Sequence, residues 1–377
     1  MQAIEKTKVF VVNGSPAGAK GNTEVLIQAF LEGAREAGAE SEVAYLNEKR
    51  IEACRGCFTC WTGTPGVCIH DDDMPALLEK LGEADVVVYA TPLYVYTVSG
   101  LMKDFMDRHI TRGYPDIVIR NGVSMHPLRH DTGRRRRGVV ISNCGFPEQS
   151  HFSGLKETFR RMFAASGSEP PMICCAAGVL LRNAELQKGV AWYVDATRSA
   201  GREVIETGRI SPETQAKLDT PLISDPNVLS GIANAIWRDM GVAGTAAQTD
   251  EELARVDEIP ATAKPLTLPV GLETVRILVA AMPAAFDAEA AGDMHAVIQF
   301  VVTDEQPGRY FLHIADGRCT AYEGVHPAPT TTITTPAAVW LGVTTGSLDN
   351  GTAVLSGQYT PSGDLRPLLK MGKMFPQ

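Results

Sequence analysis

Three short runs, Lys8–Asn13, Asp85–Ala90 and Gly138–Asn143, are apolar at consecutive positions rather than at every second one. A strand with one wet face alternates apolar and polar side chains. A strand that does not alternate is covered on both faces, as in a parallel sheet between two helix layers. The segments between these runs carry the helical period. Val25, Leu26, Phe30, Leu31 and Ala34 line one face of a helix that opens at Asn22. Ser99–His109, His151–Ala165 and Glu185–Thr207 read as further helices, and Asp71, Asp72 and Asp73 before Pro75 read as an acidic helix start. Ser41–Leu46 and Pro171–Leu181 supply two more strands. The expected fold of this part is α/β, a doubly wound five-stranded parallel sheet.

The chain is 377 residues long, which favours two domains. The pattern changes after residue 240. Residues 1–240 form the expected first domain, with 209–240 as a helical tail, and residues 241–269, rich in Ala, Thr, Pro and acids, the expected linker. Residues 270–377 place strands in a run beside helices, which is α+β grammar. Fifteen acidic against eight basic residues follow Met240, so most of the net charge of −9 belongs to this second half. That charge argues against nucleic acid or an anionic membrane as partner. Val86–Met102 is the run most like a membrane span, but Pro92 and several polar residues interrupt it and it is too short. With no charged and apolar leader at the N-terminus, the expected location is cytoplasmic.

In a doubly wound sheet, ligands sit at the carboxyl ends of the strands, where strand order reverses. The loop from Gly14 to Thr23 lies there, between the first strand and the first helix. Its small residues let backbone N–H groups turn inward, and Ser15, Lys20, Gly21, Asn22 and Thr23 are candidates to hold a phosphate. It is neither a Walker loop nor a dinucleotide fingerprint, so a single phosphate fits better than a pyrophosphate. The plain alternative is a βα turn capped by Asn or Thr. Thr91, Pro92, Leu93 and Tyr94 follow the third strand, and Asn143, Cys144, Gly145 and Phe146 the fourth. Three loops converging at one edge suit a flat cofactor.

Four of the eight cysteines, Cys54, Cys57, Cys60 and Cys68, crowd into fifteen residues. Soft sulfur ligands at this spacing suit an iron–sulfur cluster or zinc; reduced structural thiols are the other reading.

The motifs GSPAGAKGNT, CRGCFTCWTGTPGVC with DDDM, and ATPLYVYTVSGLMKDFMDR, in this order, resemble the NADPH-dependent FMN reductase and iron–sulfur flavoprotein branch of the flavodoxin-like superfamily. The resemblance runs to about residue 210 and implies a flavodoxin-like sheet. It also implies FMN with its phosphate at Ser15, Asn22 and Thr23, a ring against Pro92–Tyr94 and Cys144–Gly145, NAD(P)H as co-substrate, and a homo-oligomer. Many relatives carry Arg where this chain has Ala17, so Lys20 is the candidate charge partner. The resemblance further implies a [4Fe-4S] cluster on the four cysteines, although cluster-free relatives keep a similar loop, in which Phe58 and Trp61 would wall the flavin pocket.

From about residue 270 the chain resembles the sterol carrier protein type 2 family, through MPAAF, AVIQFVVTD, GRYFLHIADGRC, TTTITTPAAVWLGVTTGSLD and GTAVLSGQYTPSGDLRPLL. This implies a five-stranded sheet with helices around an apolar tunnel for lipid. The plain alternative is that Ile298, Phe300, Phe311, Ile314, Trp340 and Leu341 fill a core. Arg134–Arg137 read as a solvated turn before a nucleotide grip. His70, His109, His126 and His130 are expected at the surface or in satisfied polar roles, and Cys174 and Cys175 in the core.

The expected activity is an FMN-dependent NAD(P)H oxidoreductase passing electrons to a hydrophobic acceptor such as a quinone, an enone or a nitro compound. No catalytic side chain is assigned, because the cofactor ring carries the chemistry. The alternatives are an iron–sulfur electron carrier with a protein electron donor, and a lipid-binding protein with a redox-sensing half.

Overall fold

A computed structural model describes residues 6–129, 136–167, 169–242, 255–266, 274–304 and 307–376. Chain contacts divide it into two compact units, Met1–Asn183 with Val190–Leu222, and Ala184–Gly189 with Ile223–Gln377.

The first unit is built on five strands: β1 (Lys8–Asn13), β2 (Glu40–Tyr45), β3 (Val86–Pro92), β4 (Arg137–Asn143) and β5 (Met172–Cys175). Their order is β2-β1-β3-β4-β5 and every pairing is parallel. This is the doubly wound flavodoxin-like order. The register aligns Asn13 with Ala90 and Pro92 with Asn143, so β3 and β4 finish level with each other, two residues beyond the end of β1. Each residue of β3 is buried, which is why its sequence does not alternate. The helices are α1 (Asn22–Glu36), α2 (Met74–Glu83), α3 (Gly100–Asp107), α4 (Ser153–Phe163), α5 (Gln187–Thr207) and α6 (Pro212–Asp219). One face of the sheet, through Val12 and Tyr89, packs on Leu77, Phe105 and Phe159 of α2, α3 and α4. The other face carries α1.

β5 is shorter than the expected Pro171–Leu181 strand. Ala177 takes a left-handed backbone, and Gly178–Arg182 forms a 3-10 turn instead. The expected irregular insertion at 111–137 contains a hairpin, Val118–Arg120 with Val123–Met125. Its turn is Asn121-Gly122, both at positive φ, as a two-residue hairpin requires. His130, Arg134 and Arg135 lie outside the described residues.

The second unit has a mixed sheet of β6 (Lys264–Pro265), β7 (Ala296–Val302), β8 (Gly308–Ala315), β9 (Arg318–Glu323), β10 (Thr331–Thr335) and β11 (Thr360–Gly363). The order is β11-β10-β7-β8-β9-β6, with β10 parallel to β7 and the other pairs antiparallel. Helices α7 (Pro226–Asp239), α8 (Thr274–Ala281), α9 (Ala337–Thr344), α10 (Asn350–Leu355) and α11 (Arg366–Met374) belong to this unit. Ile298, Phe300, Phe311, Ile314 and Trp340 are buried, with the Phe300 and Trp340 rings 5.0 Å apart, whereas Leu341 is exposed.

Two features extend this unit beyond the expected strands. Val256 is buried against Val297 and Phe311, and Leu266 N–H donates to the Ala321 carbonyl at 2.8 Å. The described end of the 241–269 stretch thus lies on the sheet and adds β6 to its edge. Helix α7 is tied to the unit by Arg238, 3.0 Å from the Asp364 carboxylate. Among the described residues no helix is long and apolar enough to cross a membrane.

Candidate functional site

The β1–α1 loop is shaped by its glycines. Gly18 sits at φ +51°, and a Cβ on Gly14 would lie 2.8 Å from the Met102 Cβ. A Cβ on Gly21 would lie 2.7 Å from the Ser15 hydroxyl oxygen, so the loop closes on itself only with glycine there. Gly21 is the cap of α1 and brings no side-chain acceptor. The helix therefore does not have the Asn- or Thr-capped turn, and its leading amides keep their partial positive charge for a ligand. Ser15 is buried with its N–H on the Asn13 side chain at 2.9 Å, Asn22 is half-buried, and Lys20 is exposed at the loop's outer side.

Hydrogen bonds join the three loops. The Ser99 hydroxyl donates to the Gly14 carbonyl at 2.6 Å and accepts from Met102 N–H, while its own N–H donates to the Thr91 hydroxyl at 3.0 Å. Leu93 N–H donates to the Asn143 carbonyl at 2.8 Å. The Asn143 amide donates to the Thr23 hydroxyl at 2.7 Å. This bond positions the two loops. The Thr23 hydroxyl accepts in it and keeps its own O–H to donate, beside the backbone, Ser15 and Asn22. Beneath them Glu24 is buried and accepts from Asn13 at 3.0 Å and from Tyr45 at 2.8 Å. Burial and that hydrogen bond push the Tyr45 phenol up to about 12.

The outer rim is aromatic. Tyr94, Tyr96 and Phe146 are exposed, and Gly145 has open space where a Cβ would stand. Tyr96 stacks on His151 at 5.7 Å, and Phe146 lies 5.0 Å from the same ring. Cys144 is buried, its thiol donates to the Phe146 carbonyl at 3.3 Å, and burial raises its pKa. A cradle open at glycines, an uncapped helix start and an aromatic rim fit the phosphate and flat ring of FMN. Sequence reasoning missed the bolting role of Ser99, although its place before a helix marked it as a cap. It also missed His151, which carried no local signal.

The four cysteines of the 54–68 loop line one depression with Phe58 and Arg108. Cys54 and Cys57 are exposed, Cys68 is half-buried and Cys60 is buried. A hydrogen bond from Thr59 holds the Cys57 thiol below its ordinary range, while burial and the other three thiols raise Cys60. The donors suit a soft metal group. Among the described residues, however, no three His, Cys, Asp or Glu side chains gather closely enough to hold a metal ion. Trp61 turns its ring toward Phe58 and His126 and donates to the Ile110 carbonyl at 3.1 Å.

His109 corrects the expectation of satisfied histidines. It packs on Phe105 at 4.7 Å, its Nε2 is buried with no partner, and burial pulls its pKa down to about 3. Cys174 and Cys175 are core, and burial pushes Cys174 up to about 12.

The fold and these loops define an α/β unit whose loops converge at the carboxyl edge of its sheet, and a second, α+β unit. Residues 7–127 match the family model of NADPH-dependent FMN reductases, and residues 281–376 match that of the SCP-2 sterol transfer family, so the chain carries a domain of each. An iron-sulfur flavoprotein of Archaeoglobus fulgidus is 35% identical over 116 residues, 31% of this chain and 55% of that protein. An iron-sulfur flavoprotein of Methanosarcina thermophila is 29% identical over 116 residues, 31% of this chain and 59% of that protein. An FMN-dependent NAD(P)H:quinone oxidoreductase 1 of Pseudomonas aeruginosa is 26% identical over 150 residues, 37% of this chain and 69% of that protein. The chain spans little more than half the length of the first two.

Proposed function

We propose that this chain is a cytoplasmic, homo-oligomeric, FMN-dependent NAD(P)H oxidoreductase acting on a hydrophobic acceptor such as a quinone, an enone or a nitro compound. The observation that carries the reading is the side-chain-free cap of α1 at Gly21, in a loop whose Gly14 is bolted by Ser99 to Thr91 at the end of β3. When bound, FMN supplies hydride acceptance and donation at its ring. The chain's residues do the rest. Ser15, Gly21, Asn22 and the α1 amides hold the phosphate, with Lys20 as the nearby cation. Thr91–Tyr94 and Cys144–Phe146 orient the ring and keep water from it. The similarity to iron-sulfur flavoproteins supports the flavin, and the similarity to the Pseudomonas NAD(P)H:quinone oxidoreductase supports the nucleotide and the quinone. The SCP-2 domain supports an apolar ligand, which it would bind or present to the first domain. We assign the flavin half to the first compact unit and the apolar-ligand half to the second, which also takes in Pro226–Asp239 and residues 255–266.

The test is an anaerobic UV–visible spectrum of the protein with FMN, before and after NADPH, followed by turnover with a quinone. Tight FMN whose bands bleach with NADPH and recover with quinone is the expected result. A protein that takes up no FMN overturns the reading.

The cysteine depression favours a second reading, an iron–sulfur electron carrier. Cys54, Cys57, Cys60 and Cys68 would hold a [4Fe-4S] cluster, supplying one-electron chemistry. Iron and acid-labile sulfide in anaerobically purified protein would support it, and their absence there would sink it.

A further inference from the structure

A cavity of about 380 Å³ lies between α2 and the insertion that follows α3, and Arg112, Arg129 and Arg136 line it together with Pro75, Leu78 and Glu79. None of the candidate FMN-loop residues takes part. All three arginines are half-buried. Their local bonds leave most of each fork unused. Arg136 donates one Nη to the Gly82 carbonyl at 2.7 Å, and its Nε is out of solvent with no acceptor. Arg129 lies 4.6 Å over the Tyr114 ring, reaches the Cys60 carbonyl only at 3.4 Å, and likewise has a buried, unpartnered Nε. For Arg112 no side-chain partner occurs among the described residues, and no carboxylate among them pairs with any of the three. Burial pulls the Arg112 guanidinium below its ordinary value, Tyr89 opposes that, and Arg136 adds to it by like-charge repulsion. Glu79, the acid among the described lining residues, is exposed.

Three half-buried guanidinium groups around one cavity repel one another. Such an arrangement is stabilised by an anion that several forks can share. A carboxylate satisfies one planar fork, whereas a phosphate presents oxygens to three. The void is also of a size that small ligands fill. We propose that this cavity is a second anion site, which takes the phosphate group of a small phosphorylated molecule.

The experiment is calorimetric titration of the full chain, in the presence of excess FMN so that the α1 loop is saturated. The probes are inorganic phosphate, 2′,5′-ADP and 5′-AMP, and the proteins are wild type, Arg112→Gln, Arg136→Lys and the distant control Arg309→Gln. Arg112 gives the safest variant, because its side chain makes no hydrogen bond or ion pair with any described residue. Wild type and R309Q are expected to bind with equal affinity. R112Q should bind at least about tenfold more weakly, since it loses one charge-assisted pair, and R136K should lie between. Inorganic phosphate binding as well as the nucleotides would identify free phosphate as the ligand. Preference for 2′,5′-ADP over both other probes would identify the 2′-phosphate of a dinucleotide. No binding at millimolar phosphate, or equal binding by wild type and folded R112Q, overturns the proposal.

Discussion

Arg108 and Asp72 form an ion pair that is out of solvent, with Arg108 Nη1 2.6 Å from one carboxylate oxygen and Nη2 3.2 Å from the other. The same Nη1 donates to the Glu52 carbonyl at 2.7 Å. Glu52 precedes the first cysteine of the four-cysteine loop and Asp72 follows the last, so one guanidinium at the end of α3 clasps both ends of that loop. Burial pushes the Asp72 carboxyl up, but hydrogen bonds from Arg108 and from the Glu52 and Met74 amides outweigh it and leave it below the ordinary range.

Breaking one side of a buried pair leaves the other charge stranded. Asp72→Asn is therefore expected to destabilise the first unit by about 3–5 kcal/mol at neutral pH, read from urea unfolding. A carboxyl lowered by folding contributes in full above its unfolded value, near 3.9, and loses that contribution as pH falls through the folded value. The gap between wild type and D72N should accordingly narrow below about pH 4. A gap that stays constant down to pH 2 would mean that the pair is not the source of the difference.

His109 gives an opposite kind of titration. Its folded pKa of about 3 lies below the ordinary value of 6.5, because burial excludes the imidazolium. The unfolded chain then binds a proton that the folded one refuses, so stability is complete above about pH 6.5 and declines as pH falls toward 3. His109→Phe fills the same space between Phe105 and Tyr89 without a titrating group. It is expected to flatten the dependence of the urea midpoint between pH 5 and 7, where wild type should lose stability. Parallel profiles for the two proteins would place the titration elsewhere.

The sheet could be read from the chain because each of its central strands is a run of consecutive apolar residues. Bounded by turn residues and alternating with helical periods, such runs read as strands covered on both faces. The loops at the sheet's carboxyl edge were legible for a related reason, since Gly14 and Gly21 are small where space is needed. What stayed hidden depends on partners distant in sequence. Thr23 and Asn143 read as separate members of two loops, and nothing local announces the hydrogen bond that joins them. Arg108 sits just past the end of α3, at the start of a 3-10 turn, and nothing near it announces Asp72. The Leu181 end of the fifth strand was read from apolarity alone, which cannot separate a strand from a buried 3-10 turn. The stretch at 255–266 reads as linker because its apolar residues, Val256, Ile259 and Leu266, keep no sustained period, and the sheet face that Val256 covers lies at Val297 and Phe311.

Gly33 of α1 and Gly201 of α5 mark a close crossing of two backbones. A Cβ on Gly33 would run into the Arg198 carbonyl, and one on Gly201 into the Phe30 carbonyl. Neither obstacle is a side chain that can swing away. Gly33→Ala and Gly201→Ala should each destabilise the protein by about 3 kcal/mol, at the upper end of overpacking costs, despite the better helix propensity of alanine. Gly82→Ala, in a helix with nothing near the new methyl, is the control and should be neutral or mildly stabilising. Thermal melts of the three variants decide this, and a wild-type melting point for G33A would mean that the helices do not cross so closely.

The turn at Tyr94–Thr97 carries strain at the rim of the candidate site. Tyr94 and Thr97 exchange backbone hydrogen bonds of 3.0 and 3.1 Å, so the two residues between them must both be left-handed. They are Val95 at φ +46° and Tyr96 at φ +64°, where Asn and Gly would be at ease. Val95 is branched at Cβ and 89% exposed, so no packing repays its conformation. The Tyr96 carbonyl is also held close to Gly154, where a Cβ would lie 2.8 Å away. Val95→Asn should therefore raise stability by about 1 kcal/mol and leave FMN affinity unchanged, because the side chain points to solvent. Tyr94→Ala should do the reverse, leaving the melting point nearly fixed while weakening FMN binding by about tenfold through loss of a ring contact. Fluorescence titration of FMN beside thermal melts of the two variants separates the roles. If V95N weakens FMN as much as Y94A does, the strained backbone itself, and not the Tyr94 ring, is what the flavin requires.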